Sequence, residues 1–158
     1  YITKPFNINI LLSRCNNLVN NRIMLQEKFS RQPQVTPYIL ATNEMDKSFV
    51  EKAMNIIEKH IDNTNFKVDM LAEEIGIART KLFTKIKAIT GQTPFDFIMT
   101  IRLKRAAVML KNNPELNISE IADRLGFSTP KYFSKCFKEK YNITPQEYRK
   151  EERKNIYL

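Results

Sequence analysis

The stretch Leu71 to Lys87, LAEEIGIARTKLFTKIK, returns as Ile121 to Lys138, IADRLGFSTPKYFSKCFK. A chain that carries one short pattern twice should fold it the same way twice. Ala72 and Ala122, Ile75 and Leu125, and Gly76 and Gly126 are each 50 positions apart. Leu82 and Phe133, Ile86 and Phe137, Lys87 and Lys138, and Thr93-Pro94 and Thr144-Pro145 are 51 apart. The one-residue slip falls between the glycine and the helix after it, where a turn accepts an insertion. Two copies make a tandem pair, since a solenoid needs at least about three.

Composition agrees with helices throughout. The chain has only three glycines: Gly76 and Gly126 in the two turns, and Gly91 where a helix should stop. Alternating β-branched runs bounded by turns are missing after the first few residues, so the expected fold class is all-α. A length of 158 residues gives room for one or two small domains. The formal charge of +9 and a pI near 9.6 favour an anionic partner, nucleic acid or a membrane surface. Cys15 and Cys136 lie far apart with no secretory signal before them, which fits a reducing cytoplasm and no disulfide framework. No run approaches the roughly 18 apolar residues of a membrane span, so no membrane contact is expected.

Along the chain, Tyr1 to Phe6 reads as the end of a strand running into a proline. From Asn7 to about Phe29, the residues Ile8, Leu11, Cys15, Leu18, Leu25 and Phe29 recur at three- and four-residue intervals, interrupted by Arg22. This is an amphipathic helix of roughly 33 Å, and its apolar face should pair with a second copy in coiled-coil fashion. Residues 30–45, with Pro33 and Pro37, read as a linker. Asp46 reads as the N-cap of the next helix, with Phe49, Ala53, Ile56, Ile57 and Ile61 as its buried stripe, closing around Asp62 to Asn65. Copy one supplies helices over Val68–Ile75 and Arg79–Thr90. Thr93 caps a long connecting helix with Pro94 in its first turn, reaching about Asn112. Asn117 and Glu120 form a capping-box pattern at the start of copy two. Residues 46–150 thus make one domain, and a polar tail fraying from Arg149 leaves 151–158 flexible.

A short helix, a glycine turn and a second helix of about ten residues is the outline of a helix-turn-helix, although a plain helical hairpin has the same outline. Charge favours the first reading. The first helices carry Asp69, Glu73 and Glu74 in copy one, and Glu120, Asp123 and Arg124 in copy two. The second helices carry Arg79, Lys81, Lys85 and Lys87, and Lys131, Lys135, Lys138 and Lys140 against Glu139. Leu82 with Ile86, and Phe133 with Phe137, are four apart and must face a core. The opposite faces are Thr80, Phe83, Thr84 and Lys87 in copy one, and Lys131, Ser134, Lys135 and Lys138 in copy two. Base-edge candidates are therefore Arg79, Thr80, Phe83, Thr84, Lys131, Ser134 and Lys135: lysines for guanine O6 and N7, hydroxyls for several bases, Phe83 for a thymine methyl. Phosphate candidates are Lys81, Lys85, Lys87, Lys138 and Arg102; Arg102 reads first as tying the connecting helix to its neighbours, with a phosphate contact as its second role. The connecting helix spans about 28 Å, against roughly 34 Å between successive major-groove entries on one DNA face. Catalysis has little support. His60 reads as a helix-end residue and Cys136 as a packing thiol, and neither a metal cluster nor a phosphate-cradling loop is visible, so no cofactor is expected.

Residues 46–150 resemble the AraC/XylS-type DNA-binding domain, seven helices with two helix-turn-helix units joined by a long helix. The resemblance rests on Leu71-Ala72, Ile75-Gly76, Leu82, Ile86, Gly91, Thr93-Pro94, Arg102-Leu103, Ala106, Leu110, Ile118, Ile121-Ala122, Gly126-Phe127, Phe133, Phe137-Lys138, Thr144-Pro145 and Tyr148-Arg149. Ala78 departs from the serine often found there, and Thr84 from a common arginine. These departures make copy two the stronger expected base reader and copy one more a phosphate anchor. YITKPF with the long helix is similar to the end of a response-regulator receiver domain. Together the resemblances imply a double-stranded DNA-binding transcription regulator, the output domain of a two-component system, with RNA polymerase as a further partner. A helical protein-interaction module with merely solvated lysines is the alternative.

Overall fold

The computed structural model describes residues 7–156; YITKPF, Tyr157 and Leu158 lie outside them. The described residues form eight α-helices: α1 (Ile8–Arg31), α2 (Glu44–Lys59), α3 (Val68–Ile75), α4 (Arg79–Thr90), α5 (Pro94–Asn112), α6 (Ile118–Arg124), α7 (Pro130–Tyr141) and α8 (Pro145–Ile156). A 3-10 turn covers Pro37–Leu40. The all-α expectation and the boundaries of α3, α4 and α5 agree with the structure, because caps and glycines mark those ends in the sequence.

The two copies end their helices by the same device. At the close of α3, Gly76 has φ 84° and the Ile77 N–H donates to Ala72 O at 3.1 Å. After α6, Gly126 has φ 68° and the Phe127 N–H donates to Ala122 O at 3.0 Å. Helix α4 stops at Gly91 with φ 73°, and α7 stops at Asn142 with φ 60°. Asn142 stands 51 positions after Gly91, so asparagine, which tolerates the left-handed region, does in copy two what glycine does in copy one. The Asn117–Glu120 capping box forms with both of its bonds, at 2.7 and 2.9 Å.

Two hydrophobic clusters lie on either side of the middle of α5. The first gathers Phe29, Val50, Ala53, Ile57, Leu71, Leu82, Ile86 and Phe97. The second gathers Leu103, Ala106, Leu110, Ile121, Leu125, Phe127, Phe133 and Phe137. Phe97, Ile98 and Ile101 of α5 belong to the first, while Leu103, Ala106, Ala107 and Leu110 belong to the second. In the second, Phe127, Phe133, Phe137 and Tyr141 follow one another at centroid separations of 5.0, 5.9 and 4.8 Å. Each fully buried Phe contributes about 1.5–3 kcal/mol.

Several sequence expectations are corrected. Helix α2 begins three residues early: Asn43 is its N-cap and accepts from the Asp46 N–H at 2.8 Å, which places Asp46 in the first turn. Val50 is fully buried in its stripe, whereas Phe49 is partly exposed. The stretch 30–45 is packed as well as connecting. Leu40 is buried, Val35 packs on the first cluster, and Lys104 Nζ donates to Gln32 O at 2.6 Å while lying 4.6 Å over the Phe29 ring. The end of the chain is helical to Ile156, with Lys111 Nζ 2.7 Å from Glu152 Oε2. Helix α1 splits its roles. Asn7 to Asn20 are exposed on every side, but the second half docks through buried Phe29, whose ring lies 6.1 Å from that of Phe97.

Candidate nucleic-acid interface

In α4, the fully buried Leu82 and Ile86 and the nearly buried Ile89 fix the helix's rotation. Thr80, Phe83, Thr84 and Lys87 are consequently exposed, Phe83 at 48%. Burial of Phe133 and Phe137 does the same for α7, where Lys131, Lys135 and Lys138 are exposed and Ser134 is half-buried. These are the two faces expected from the repeat, brought onto equivalent positions of equivalent helices.

Their electrostatics differ. Arg79 Nη1 is 2.9 and 3.1 Å from the two carboxylate oxygens of Asp69 on α3, so this cation meets an acid of its own unit. The Thr84 hydroxyl donates to Thr80 O at 3.0 Å, leaving that side chain its acceptor capacity only. Lys81 is exposed on the flank. On α7, Lys135 has only a loose, exposed pairing with Glu139 at 3.8 Å, a geometry worth little in water. Copy two therefore presents the stronger positive face.

Three cations turn away from the outward faces, Lys85 and Lys140 against expectation. Lys85 turns to the flank of α4, half-buried, with its ammonium 4.6 Å over the Phe49 ring of α2. Arg102 is 5% exposed and donates to Asn63 O at 2.7 Å and Gly126 O at 3.2 Å. It ties the loop before α3 to the turn before α7, the first of its two expected roles, and its guanidinium is turned inward rather than toward a phosphate. Lys140 points inward, donating to Ser30 Oγ at 2.8 Å and Thr100 Oγ1 at 2.9 Å. Burial lowers the pKa of Lys140, and burial next to Lys140 takes Lys104 down to about 8.

The space between the units holds two residues that the sequence reading missed. A cleft of about 410 Å³ is lined by Arg79, Phe95, Met99, Arg102, Phe127 and Tyr132. A second, of about 430 Å³, shares Phe95, Met99 and Tyr132 and adds Lys87, Gln92 and Lys140. Phe95 and Tyr132 remain 55% and 41% exposed there. Their only sequence signal is aromatic character beside a first-turn proline or an exposed lysine.

Neither chemical candidate gains a role. His60 caps the end of α2, stacks on Phe66 at 4.8 Å and pairs with Glu74. Partial burial pushes the Cys136 thiol up, outweighing the neighbouring Tyr132 hydroxyl and Lys135. Among the described residues, no group of three or more His, Cys, Asp or Glu is placed to hold a metal ion, and no helix is long and apolar enough to cross a membrane.

Two helix-turn-helix units with outward basic second helices, held on one long helix, define a double helix-turn-helix DNA-binding domain. The chain belongs to the AraC-type helix-turn-helix family of transcription regulators: the family model described as a helix-turn-helix domain matches residues 71–151. Among relatives, the chain is 45% identical over 148 residues to Histidine kinase P4 of Formosa agariphila, covering 94% of this chain and 11% of that protein. It resembles the C-terminal domain of the two-component response regulator yesN from Fusobacterium nucleatum, with 31% identity and a TM-score of 0.58 over 65% of this chain and 98% of that one. An AraC-type transcriptional regulator from Chromobacterium violaceum gives 27% identity and a TM-score of 0.63, over 70% of this chain and 96% of that one. The chain spans 11%, 34% and 40% of the length of the first three curated relatives.

Proposed function

We propose that this chain is the DNA-reading output end of a two-component regulator in the cytoplasm, with α4 and α7 entering adjacent major-groove segments of one asymmetric site. The observation that carries the reading is the α7 face: Lys131, Lys135 and Lys138 project from a helix whose opposite side is locked by two fully buried phenylalanines. Lys131 and Lys135 read guanine edges with Ser134 beside them, and Lys138 holds a phosphate. Thr80, Phe83 and Thr84 give α4 a weaker preference, anchored by Lys81 and Lys87. The two-component role draws support from the response regulator whose C-terminal domain this chain resembles and from the kinase name of the 45% identical relative.

The exposed half of α1 supplies the dimer contact. Ile8, Leu11, Cys15 and Leu18 keep an a/d spacing over three turns, and Ile8 and Leu18 are 69% and 70% exposed. The seam ends there because Arg22, next in the spacing, already bonds to α4. A parallel pairing over Ile8–Leu18 would carry two such domains side by side.

Selection of bound sequences from a random DNA pool, followed by a salt titration on the winning site, tests the reading. A defined motif whose binding weakens steeply with ionic strength is expected. Weak binding to all DNA, flat in salt, would instead favour the protein-interaction module.

A further inference from the structure

The two halves of the domain share one continuous helix, but little apolar packing joins them: the clusters part between Ile101 and Leu103, and the clefts of about 410 and 430 Å³ open between the units. Polar ties take over on each side of α5. On one side is Arg102, between Asn63 O and Gly126 O. On the other, Lys140 of α7 donates to Ser30 of α1 and Thr100 of α5, and Gln92 Nε2 donates to the same two hydroxyls at 3.4 and 3.0 Å.

Besides α5, helix α1 reaches both recognition helices. Arg22 Nη2 donates to Ala88 O at 2.7 Å and Gln26 Nε2 to Ile89 O at 3.2 Å, filling carbonyls in the last turn of α4 that have no partner inside the helix. Gly91, the residue ending α4, lies so close to Gln26 that a Cβ there would sit 2.8 Å from its Oε1. Four residues further along α1, Ser30 takes the ammonium from the last turn of α7. Just over two turns of α1, from Arg22 to Ser30, thus hold the C-terminal ends of both helices that face DNA.

We propose that Arg22, Gln26, Ser30 and Lys140 are positioning residues for DNA recognition: they make α1 a strut that fixes the separation and relative rotation of the two recognition helices. The inference rests on DNA reading by α4 and α7. A force that turns α1 would then alter which groove-to-groove spacing the domain accepts, without touching a base-contacting side chain. A free-standing helix-turn-helix pair joined by α5 alone would tolerate a range of spacings.

The test uses the whole chain and the site recovered by selection, together with versions carrying one base pair more or less between the segments read by α4 and α7. Each such change moves the far segment by about 3.4 Å and rotates it by about a tenth of a turn. The unaltered protein should lose at least about tenfold in affinity on these shifted sites, a cost near that of one mismatched base pair. With Lys140→Met, or with Arg22→Ala and Gln26→Ala together, the penalty should shrink to about threefold or less, while discrimination against base changes inside each segment is kept. Ser30→Ala, outside both units, removes one of the two acceptors shared by Lys140 and Gln92, the one that belongs to α1. It should relax spacing in the same direction even if a larger substitution perturbs folding. Undiminished spacing penalties in Ser30→Ala and in a folded Lys140→Met variant would overturn the strut and leave DNA reading intact. Absence of any selected site for the unaltered protein would overturn both.

Discussion

Gly76 and Gly126 occupy the same turn in the two copies, yet alanine should cost very different amounts at the two positions. Both have positive φ, 84° and 68°, so each Cβ incurs about 1–2 kcal/mol of backbone strain. Restricting the unfolded chain returns about 0.4–1 kcal/mol. At Gly76 a Cβ meets nothing within 4 Å, and Gly76→Ala should therefore cost about 1 kcal/mol. At Gly126 it would stand 2.8 Å from Ile61 O and 2.9 Å from Arg102 Nη2, so backbone and guanidinium must both give way. Arg102 then weakens its bonds to Asn63 O and Gly126 O in a site where it is 5% exposed. Charged hydrogen bonds are worth about 1.5–3 kcal/mol each, so Gly126→Ala should cost about 3–5 kcal/mol, a large part of a typical total of about 5–15. Urea unfolding of both variants at pH 7, compared at fixed m, measures the difference. In an Arg102→Met background the gap between the two glycines should narrow, because the displaced guanidinium is gone. If Gly126→Ala matched Gly76→Ala within about 0.5 kcal/mol in the unaltered background, the turn of copy two would not be braced by Arg102.

Lys131→Ala and Lys135→Ala should each weaken the selected site by about 1–3 kcal/mol and relax preference at one or two positions, measured by competition with single-base variants; a uniform loss across sequences would make them phosphate contacts only. Mild oxidation should link two chains through Cys15, which is exposed at the middle of the Ile8–Leu18 seam, and Cys15→Ser should abolish the linked species on a non-reducing gel. A linked species surviving Cys15→Ser would remove the parallel seam. Lys104 titrates near 8 in the folded chain against 10.5 for an ordinary lysine, so between these values the unfolded chain holds the proton that the folded one has released. Stability should thus rise with pH from about 8, and Lys104→Met should flatten that rise in urea midpoints at pH 7.5 and 9. An unchanged slope would place the titration elsewhere, Lys140 being the nearest group shifted in the same direction. The logarithm of DNA affinity should fall against the logarithm of salt with a slope of about 3 in magnitude, the figure for the phosphate contacts of Lys81, Lys87 and Lys138, rather than the roughly 8 that the net charge would suggest.

That slope depends on sorting the cations, which the sequence permitted only partly. Periodicity fixed which way each short helix turns: Leu82 with Ile86 and Phe133 with Phe137 placed Thr80, Thr84, Lys131 and Lys135 outward, where they are exposed. Periodicity gives an angle around a helix but not the neighbour found at that angle. Lys85 lies on a flank that α2 covers with Phe49, and Lys140 on one that meets the end of α1. Arg102 and Lys104 belong to α5, which is buried on most sides by two separate clusters and offers no single polar face on which a cation could be placed. Asn142 escaped notice as a helix stop for a related reason, since its left-handed backbone has no glycine to announce it.

The cations that tie one element to another share one chemistry. Arg22 bonds to Ala88 O in the last turn of α4, Lys52 Nζ to Ile75 O at the end of α3 at 2.8 Å, and Lys104 to Gln32 O just past α1. Each meets a carbonyl left without an intrahelical partner, at the end of a helix where the aligned peptide dipoles favour positive charge. Arg102 does the same for two loop carbonyls. A short-helix fold has many such ends, and in this chain long basic side chains serve several of them. Part of the +9 therefore holds the scaffold together, while Lys81, Lys87, Lys131, Lys135 and Lys138 stand outside it. Net charge overcounts the DNA-facing charge for that reason, and neutralising an interior cation should alter stability or spacing before it alters the salt dependence of binding.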